Sequence, residues 1–283
     1  MELVLGTAQL RNAYGVTTTL DGPRRSGDAL ALLRAAVHEG VEALDTAPAY
    51  GEAEATIGEA AWIGSVHTKI DPEVEPAASL AESLGRLRRR AVDVLYLHDA
   101  SEVLHPESPI IAAAHGLVGR EAGVLGASIY EVDQFDAAVA DPRIGVIQVP
   151  LSVLDRRIDD LRLDRARSAG VAVYARSVLL QGVLTASPDE VEAAVTGLGG
   201  FVSAFQAVAR RWRRSPIEAA LGWVRAVGGI KGLVIGAESP EELHGVARAV
   251  RSEPLDDAML SELRSLDQPE RRLVDPRTWS KGV

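Results

Sequence analysis

The 283 residues contain no cysteine, which excludes disulfides, thiolate nucleophiles, iron–sulfur clusters and cysteine-ligated zinc together. Aromatic residues are scarce at 4% against 47% hydrophobic, so the interior has to be built from Ala, Val, Leu and Ile, as in parallel sheets covered by helices. No apolar run approaches the roughly 18 residues of a membrane span, and the chain enters Leu3-Val4-Leu5-Gly6 with no basic segment and apolar stretch ahead of it. The expectation is a soluble, cytoplasmic protein with no membrane partner. Basic residues are outnumbered 30 to 40, and the formal charge of -10 repels phosphate backbones, which argues against a nucleic-acid partner. The arginine-rich runs Arg86–Arg90 and Arg210–Arg214 therefore read as solvated helix faces. No pair of histidines has metal-ligand spacing, so no metal is expected. Gly197-Leu198-Gly199-Gly200 lacks a preceding strand and reads as a flexible loop, not as a dinucleotide fingerprint.

What the chain does have is alternation. Eight short apolar runs, Leu3–Gly6, Ala43–Asp45, Val66–Lys69, Val92–His98, Val124–Ser128, Val146–Pro150, Val171–Arg176 and Gly232–Gly236, are separated by segments of helical period, the signature of repeated βα units. Eight units suit closure into one α/β domain over residues 1–283, a parallel (β/α)8 TIM barrel. Ser187-Pro188, Ser215-Pro216 and Ser239-Pro240, each followed by a Glu three residues after the Ser, predict helix starts with a Ser cap, an initial Pro and a capping box. The stretch from Ser177 to Ser215 exceeds ordinary loop length and is expected to carry helices of its own beside the mouth of the barrel.

Active sites of such barrels lie at the carboxyl ends of the strands. Three consecutive runs end in ionisable groups: Asp45, followed closely by Tyr50; Lys69; and His98. Adjacent strands are about 4.8 Å apart, so these side chains can share one pocket. The set suits carbonyl reduction, in which an alkoxide must take a proton. Tyr50 is the natural donor, its pKa expected to fall beside the Lys69 ammonium. Asp45 would hold Lys69 charged and aimed, and His98 would donate a hydrogen bond to the substrate oxygen. Gln9 and Tyr14, on the first loop, are candidate substrate contacts alongside Tyr50 and His98.

Leu5-Gly6-Thr7-Ala8-Gln9, Asp45-Thr46-Ala47-Pro48-Ala49-Tyr50-Gly51, Thr68-Lys69, Asp93-Val94-Leu95-Tyr96-Leu97-His98, Gly126-Ala127-Ser128 and Val234-Ile235-Gly236-Ala237 occur in the order of the motifs of the aldo-keto reductase superfamily, which the chain resembles over nearly its whole length. The resemblance implies a β/α barrel, Asp45, Tyr50, Lys69 and His98 as a catalytic tetrad, and hydride exchange between NAD(H) or NADP(H) and a small carbonyl or alcohol. It places the cofactor against Gly6, Thr7, Asp45, Ser128, Gln148, Arg176, Ser177, Leu179, Gln181, Gly236, Glu238, Ser239 and Glu242, and folds the segment with Trp279 across the mouth. Ile129 stands where the family usually has Asn. Arg176 falls where an aromatic ring commonly stacks on nicotinamide, with Tyr174, two residues earlier on the same strand face, as the alternative. NADPH-using members usually carry Lys or Arg where this chain has Glu238, so NAD(H) is favoured. A cofactor-binding sensor and a redox-neutral lyase or epimerase stand beside the reductase as readings of the same site.

Overall fold

The computed structural model describes residues 1–10 and 26–279. Eight strands, β1 (Glu2–Gly6), β2 (Ala43–Asp45), β3 (Ser65–Ile70), β4 (Val92–Leu97), β5 (Ala122–Ser128), β6 (Val146–Pro150), β7 (Ala172–Arg176) and β8 (Ile230–Ile235), pair in parallel in chain order and close into a barrel, β8 against β1. Each matches one of the eight runs read from the sequence, with ends differing by at most two residues.

The surrounding helices are α1 (Ser26–His38), α2 (Ala53–Glu59), α3 (Pro76–Leu87), α4 (Pro109–His115), α5 (Val132–Ala140), α6 (Asp160–Ser168), α7 (Pro188–Ala194), α8 (Gly199–Arg211), α9 (Pro216–Ala226), α10 (Pro240–Val250), α11 (Asp257–Arg264) and α12 (Arg271–Val274). No helix among the described residues is long and apolar enough to cross a membrane. The capping boxes at Ser187 and Ser215 form as expected, Ser accepting the Glu backbone N–H while the Glu carboxylate reaches back. At Ser239 the box is altered. Its hydroxyl accepts from Glu242 N–H, but the Glu242 carboxylate reaches one residue further, to the backbone N–H of Glu238. The stretch after β7 does carry two helices, α7 and α8. The expectation of a loop at Gly197–Gly200 fails in part: Gly199 and Gly200 open α8, because Gly199 N–H is capped by the Glu192 carboxylate at 3.0 Å.

Alternating strand residues face inward, and the barrel interior is a second, smaller core of Val4, Ala43, Val94, Tyr96, Val146, Tyr174 and Val234. Two tyrosine rings fit there because the adjacent strand carries glycine at the position paired with each. A Cβ on Gly126 would lie 2.7 Å from the Tyr96 ring, and one on Gly232 would lie 2.7 Å from the Tyr174 ring. His67, edge-on to both rings, completes this layer. The Tyr174 hydroxyl donates downward to the Glu2 carboxylate, whose other oxygen is 3.3 Å from Lys231 Nζ. The filled interior forms a solid floor beneath the carboxyl ends of the strands.

Candidate active site

Above that floor the strand ends open into a cavity of about 780 Å³. Asp45, the last residue of β2, stands in register with His67 on β3, and Lys69 lies one inward-facing position further along. His98 directly follows β4. Tyr50 ends a short 3-10 turn, Pro48–Tyr50, which the chain leaves through Gly51 at φ 61°, a conformation that favours glycine. All four side chains line the cavity.

Lys69 is only 2% exposed. Its ammonium donates to Asp45 Oδ1 at 2.7 Å and to the Thr46 carbonyl at 2.9 Å, and lies 4.9 Å from the centre of the Tyr50 ring. The other Asp45 oxygen accepts from Gln148 Nε2 at 2.8 Å, and the Asp45 carbonyl accepts from the Thr7 hydroxyl and backbone N–H, each at 2.9 Å. A buried ion pair is tolerable only when its remaining hydrogen-bonding capacity is met, and here both carboxylate oxygens are used. Burial opposes the charge on Lys69, but Asp45 and then Tyr50 outweigh it, and its pKa rises above the ordinary lysine value.

Tyr50 departs from the sequence expectation. Lys69 does pull its pKa down, but burial pushes up more strongly and Asp45 adds to that, so the net value lies above an ordinary phenol. Ionising this phenol places a charge where water is largely excluded, and one adjacent ammonium, already shared with Asp45, does not offset that cost. The pKa of His98 is drawn down to about 4, first by burial and then by Lys69. Its imidazole is therefore neutral near pH 7 and can present one N–H while accepting at the other nitrogen. The Tyr50 and His98 rings meet edge to face, 6.4 Å between centres.

The remaining cavity wall gathers most of the residues expected to face a cofactor. Gly6, Ser128, Gln148, Arg176, Ser177, Leu179, Gln181, Gly236, Glu238, Ser239 and Glu242 all line it, as does Gln9. Ser128 donates to Gln148 Oε1 at 3.3 Å, so the amide that steadies Asp45 also leads to the next strand end. Thr7 is buried and braces Asp45 without reaching the cavity. Trp279 is not among the lining side chains; its indole N–H is bound to the Leu273 carbonyl at 3.1 Å and its ring packs on the outer core. Tyr14 lies outside the described residues.

Arg176 sits at the end of β7 with its guanidinium 4.0 Å from the centre of the Tyr130 ring, donating to the Ile129 carbonyl at 2.9 Å. Arg277 covers Tyr130 at 3.6 Å and is itself held by Asp275. Tyr130 also lines the cavity and was missed in the sequence. It lies two residues beyond Ser128 on the line of inward positions, and that parity was the available signal. Ile129, between them, is fully buried, so the place where Asn is usual is apolar here. Tyr174 points to the barrel floor and does not line the cavity, whereas Arg176 does. The following loop is strained: Ser177, Leu180 and Gln181 have φ of 56°, 47° and 54°, conformations that cost a non-glycine residue about 1 kcal/mol or more each.

The arginine-rich run at the end of α3 is not merely a solvated face. Arg86 Nε donates to Glu54 at 2.8 Å, and Arg89 donates to the Gly64 carbonyl at 2.8 Å. In the second run, Arg211 pairs with Glu262, whose other oxygen accepts from the indole of Trp212 at 2.8 Å.

Comparison with known proteins agrees with the geometry. L-galactose dehydrogenase of Arabidopsis thaliana is 26% identical over 290 residues, spanning 93% of this chain and 90% of the relative. Among solved structures, the holo form of an aldo-keto reductase from Bacillus halodurans superposes with a TM-score of 0.78 at 20% identity, covering 94% of this chain and 92% of that one. The glycerol dehydrogenase of Gluconobacter oxydans superposes with a TM-score of 0.71 at 22% identity, covering 93% and 90%. Residues 2–268 match the Aldo/keto reductase family, and with a closed parallel barrel carrying Asp45, Tyr50, Lys69 and His98 at adjoining strand ends, the chain belongs to that family.

Proposed function

We propose that this oxidoreductase interconverts a small polar carbonyl compound (an aldehyde, ketone or sugar) and its alcohol by hydride exchange with a nicotinamide cofactor, preferring NAD(H), with Tyr50 as general acid and base. One observation carries the reading: a buried ammonium, Lys69, is held by Asp45 beside a phenol that faces the cavity, next to a neutral imidazole. The name of the relative L-galactose dehydrogenase favours a polyhydroxylated substrate.

The cavity wall fits such a cofactor. Ser128 and Gln148 offer an amide-recognising pair, and the amino end of α10 supplies the acceptors of a ribose site through Glu238 and Ser239. The reduced nicotinamide would supply the hydride. His98, neutral, donates a hydrogen bond to the carbonyl oxygen and stabilises negative charge as it develops. Tyr50 then releases its proton to that oxygen, and Lys69 stabilises the phenolate left behind, drawing its own fixed position from Asp45. A phenol that burial keeps protonated suits the reductive direction. In the oxidative direction Tyr50 must first lose its proton, a step the Lys69 ammonium assists.

NAD(H) preference rests on two carboxylates at the amino end of α10. Glu238 stands at its entrance, and the Glu242 carboxylate already accepts the Glu238 backbone N–H, a donor that would otherwise be available to an added phosphate. The test is nicotinamide absorbance with a panel of aldehydes, ketones and sugars. Tyr50→Phe is expected to lower the rate by about 10² to 10⁴, and an unchanged rate would reject Tyr50 as proton donor. Tight cofactor binding without turnover on any substrate would favour the sensor reading instead.

A further inference from the structure

Glu54 is a carboxylate with no exposed surface, lying outside the barrel wall, away from the cavity. It sits on the first turn of α2, four residues after Tyr50. Its Oε1 accepts the Thr68 hydroxyl at 2.6 Å, and its Oε2 accepts Arg86 Nε at 2.8 Å. Thr68 is the neighbour of Lys69 on β3, pointing outward where Lys69 points inward. A buried carboxylate is costly unless paired and hydrogen-bonded, so this one needs both partners, and they belong to β3 and α3. The same helix is pressed on α3 at Gly58, where a Cβ would lie 2.2 Å from the Arg86 carbonyl.

We propose that Glu54 is a positioning residue for the reaction: by tying α2 to Thr68 and Arg86, it sets the approach of Tyr50 to Lys69. The chain from the phenol to the tie is short and stiff, running from the Pro48–Tyr50 turn through Gly51 into α2. The strand residue at the other end of the tie adjoins the lysine. Loss of either hydrogen bond lets the tyrosine-bearing segment shift along β3, and misplacement by about 1 Å at a reacting group costs roughly 100-fold in rate. The direction for the phenol is also set. Lys69 is the largest influence lowering the Tyr50 pKa, so a retreat from it moves the Tyr50 titration upward.

This inference rests on Tyr50 acting as proposed above, and its test is built to fail separately. Glu54→Gln keeps an acceptor for Thr68 but removes the charge facing Arg86; Thr68→Val and Arg86→Met break the two bonds from the other side. In whichever of these folds, kcat is expected to fall about 10- to 100-fold with the KM for cofactor unchanged. Ring-carbon NMR of labelled tyrosine, assigned with Tyr50→Phe, should show Tyr50 titrating at higher pH. A purely structural role would lower the melting temperature while leaving kcat per folded molecule and the Tyr50 titration as in the parent, and that result overturns the proposal. If the parent protein turns over no substrate, the reading of its function has failed, and the NMR titration alone decides whether Glu54 governs Tyr50.

Discussion

The two halves of the cavity rim are built under different constraints. At the ends of β2, β3 and β4, the two charged side chains that line the cavity are fixed: Lys69 bonds Asp45 and Thr46, Asp45 also bonds Gln148, and Thr7, just past the end of β1, holds the Asp45 backbone carbonyl. At the ends of β7 and β8 the rim is a loop with three strained residues, a guanidinium stacked on tyrosine, and the amino end of a helix closed by its own glutamate. Proton transfer requires atoms held within a few tenths of an ångström, which a buried, fully bonded cluster provides. A wall that spreads its contacts over many side chains tolerates exchange at single positions, and Arg176 and Glu238 on this side, like Ile129 directly after β5, differ from the family pattern.

The sharpest way to break this contrast is in the first half. Lys69→Met should lower kcat by about 10³-fold, within the range for loss of acid–base function. It should also cost about 3 kcal/mol of stability in urea denaturation, because Asp45 is left buried with a hydrogen bond but no countercharge. Stability equal to the parent would show that the pair is worth no more than a surface bridge. In the second half, Glu238→Lys combined with Glu242→Gln should move the ratio of kcat/KM for NADPH over NADH upward by about tenfold, equivalent to about 1.4 kcal/mol, with kcat at saturating cofactor nearly constant. A fall in that kcat instead would mean the halves are not separable. The smallest change is expected for Arg176→Met. If the guanidinium presents its free side to nicotinamide, fluorescence titration should show the affinity for NAD⁺ relative to NADH rising about three- to fivefold, the scale of about 1 kcal/mol between half-exposed charges. An unchanged ratio would assign Arg176 to Tyr130 alone.

The barrel and the convergence of Asp45, Tyr50, Lys69 and His98 on one cavity were legible in the sequence because each is encoded by local pattern. Strands buried on both faces are continuous apolar runs, and an ionisable residue at the end of such a run has few structural excuses. Of the residues expected to hold a cofactor, the neighbourhood was legible by position, since most line the cavity, but how Arg176 and Glu242 are bonded there could not be read. Arg176 is shared with Tyr130 and, through it, with Arg277, a residue 101 positions away, and no periodicity announces a stack between distant loops. The Tyr50 pKa failed for a related reason. The sequence displays the neighbouring charge, whereas the burial that outweighs it exists only once α2, β3 and the cavity wall have come together. Glu54 was passed over because an acidic residue at a helix start ordinarily needs no other explanation.

The tyrosine rings seated against Gly126 and Gly232 limit how this scaffold can be altered by design. Alanine at either position would bring a methyl group within 2.7 Å of a ring that has no empty space to turn into, so the strands would have to part before the cavity gained any depth. Attempts to broaden what the protein accepts should therefore leave the barrel untouched and work outward from the rim, where Tyr130 and the loop after β7 can be exchanged without unsettling the layer on which Asp45 rests.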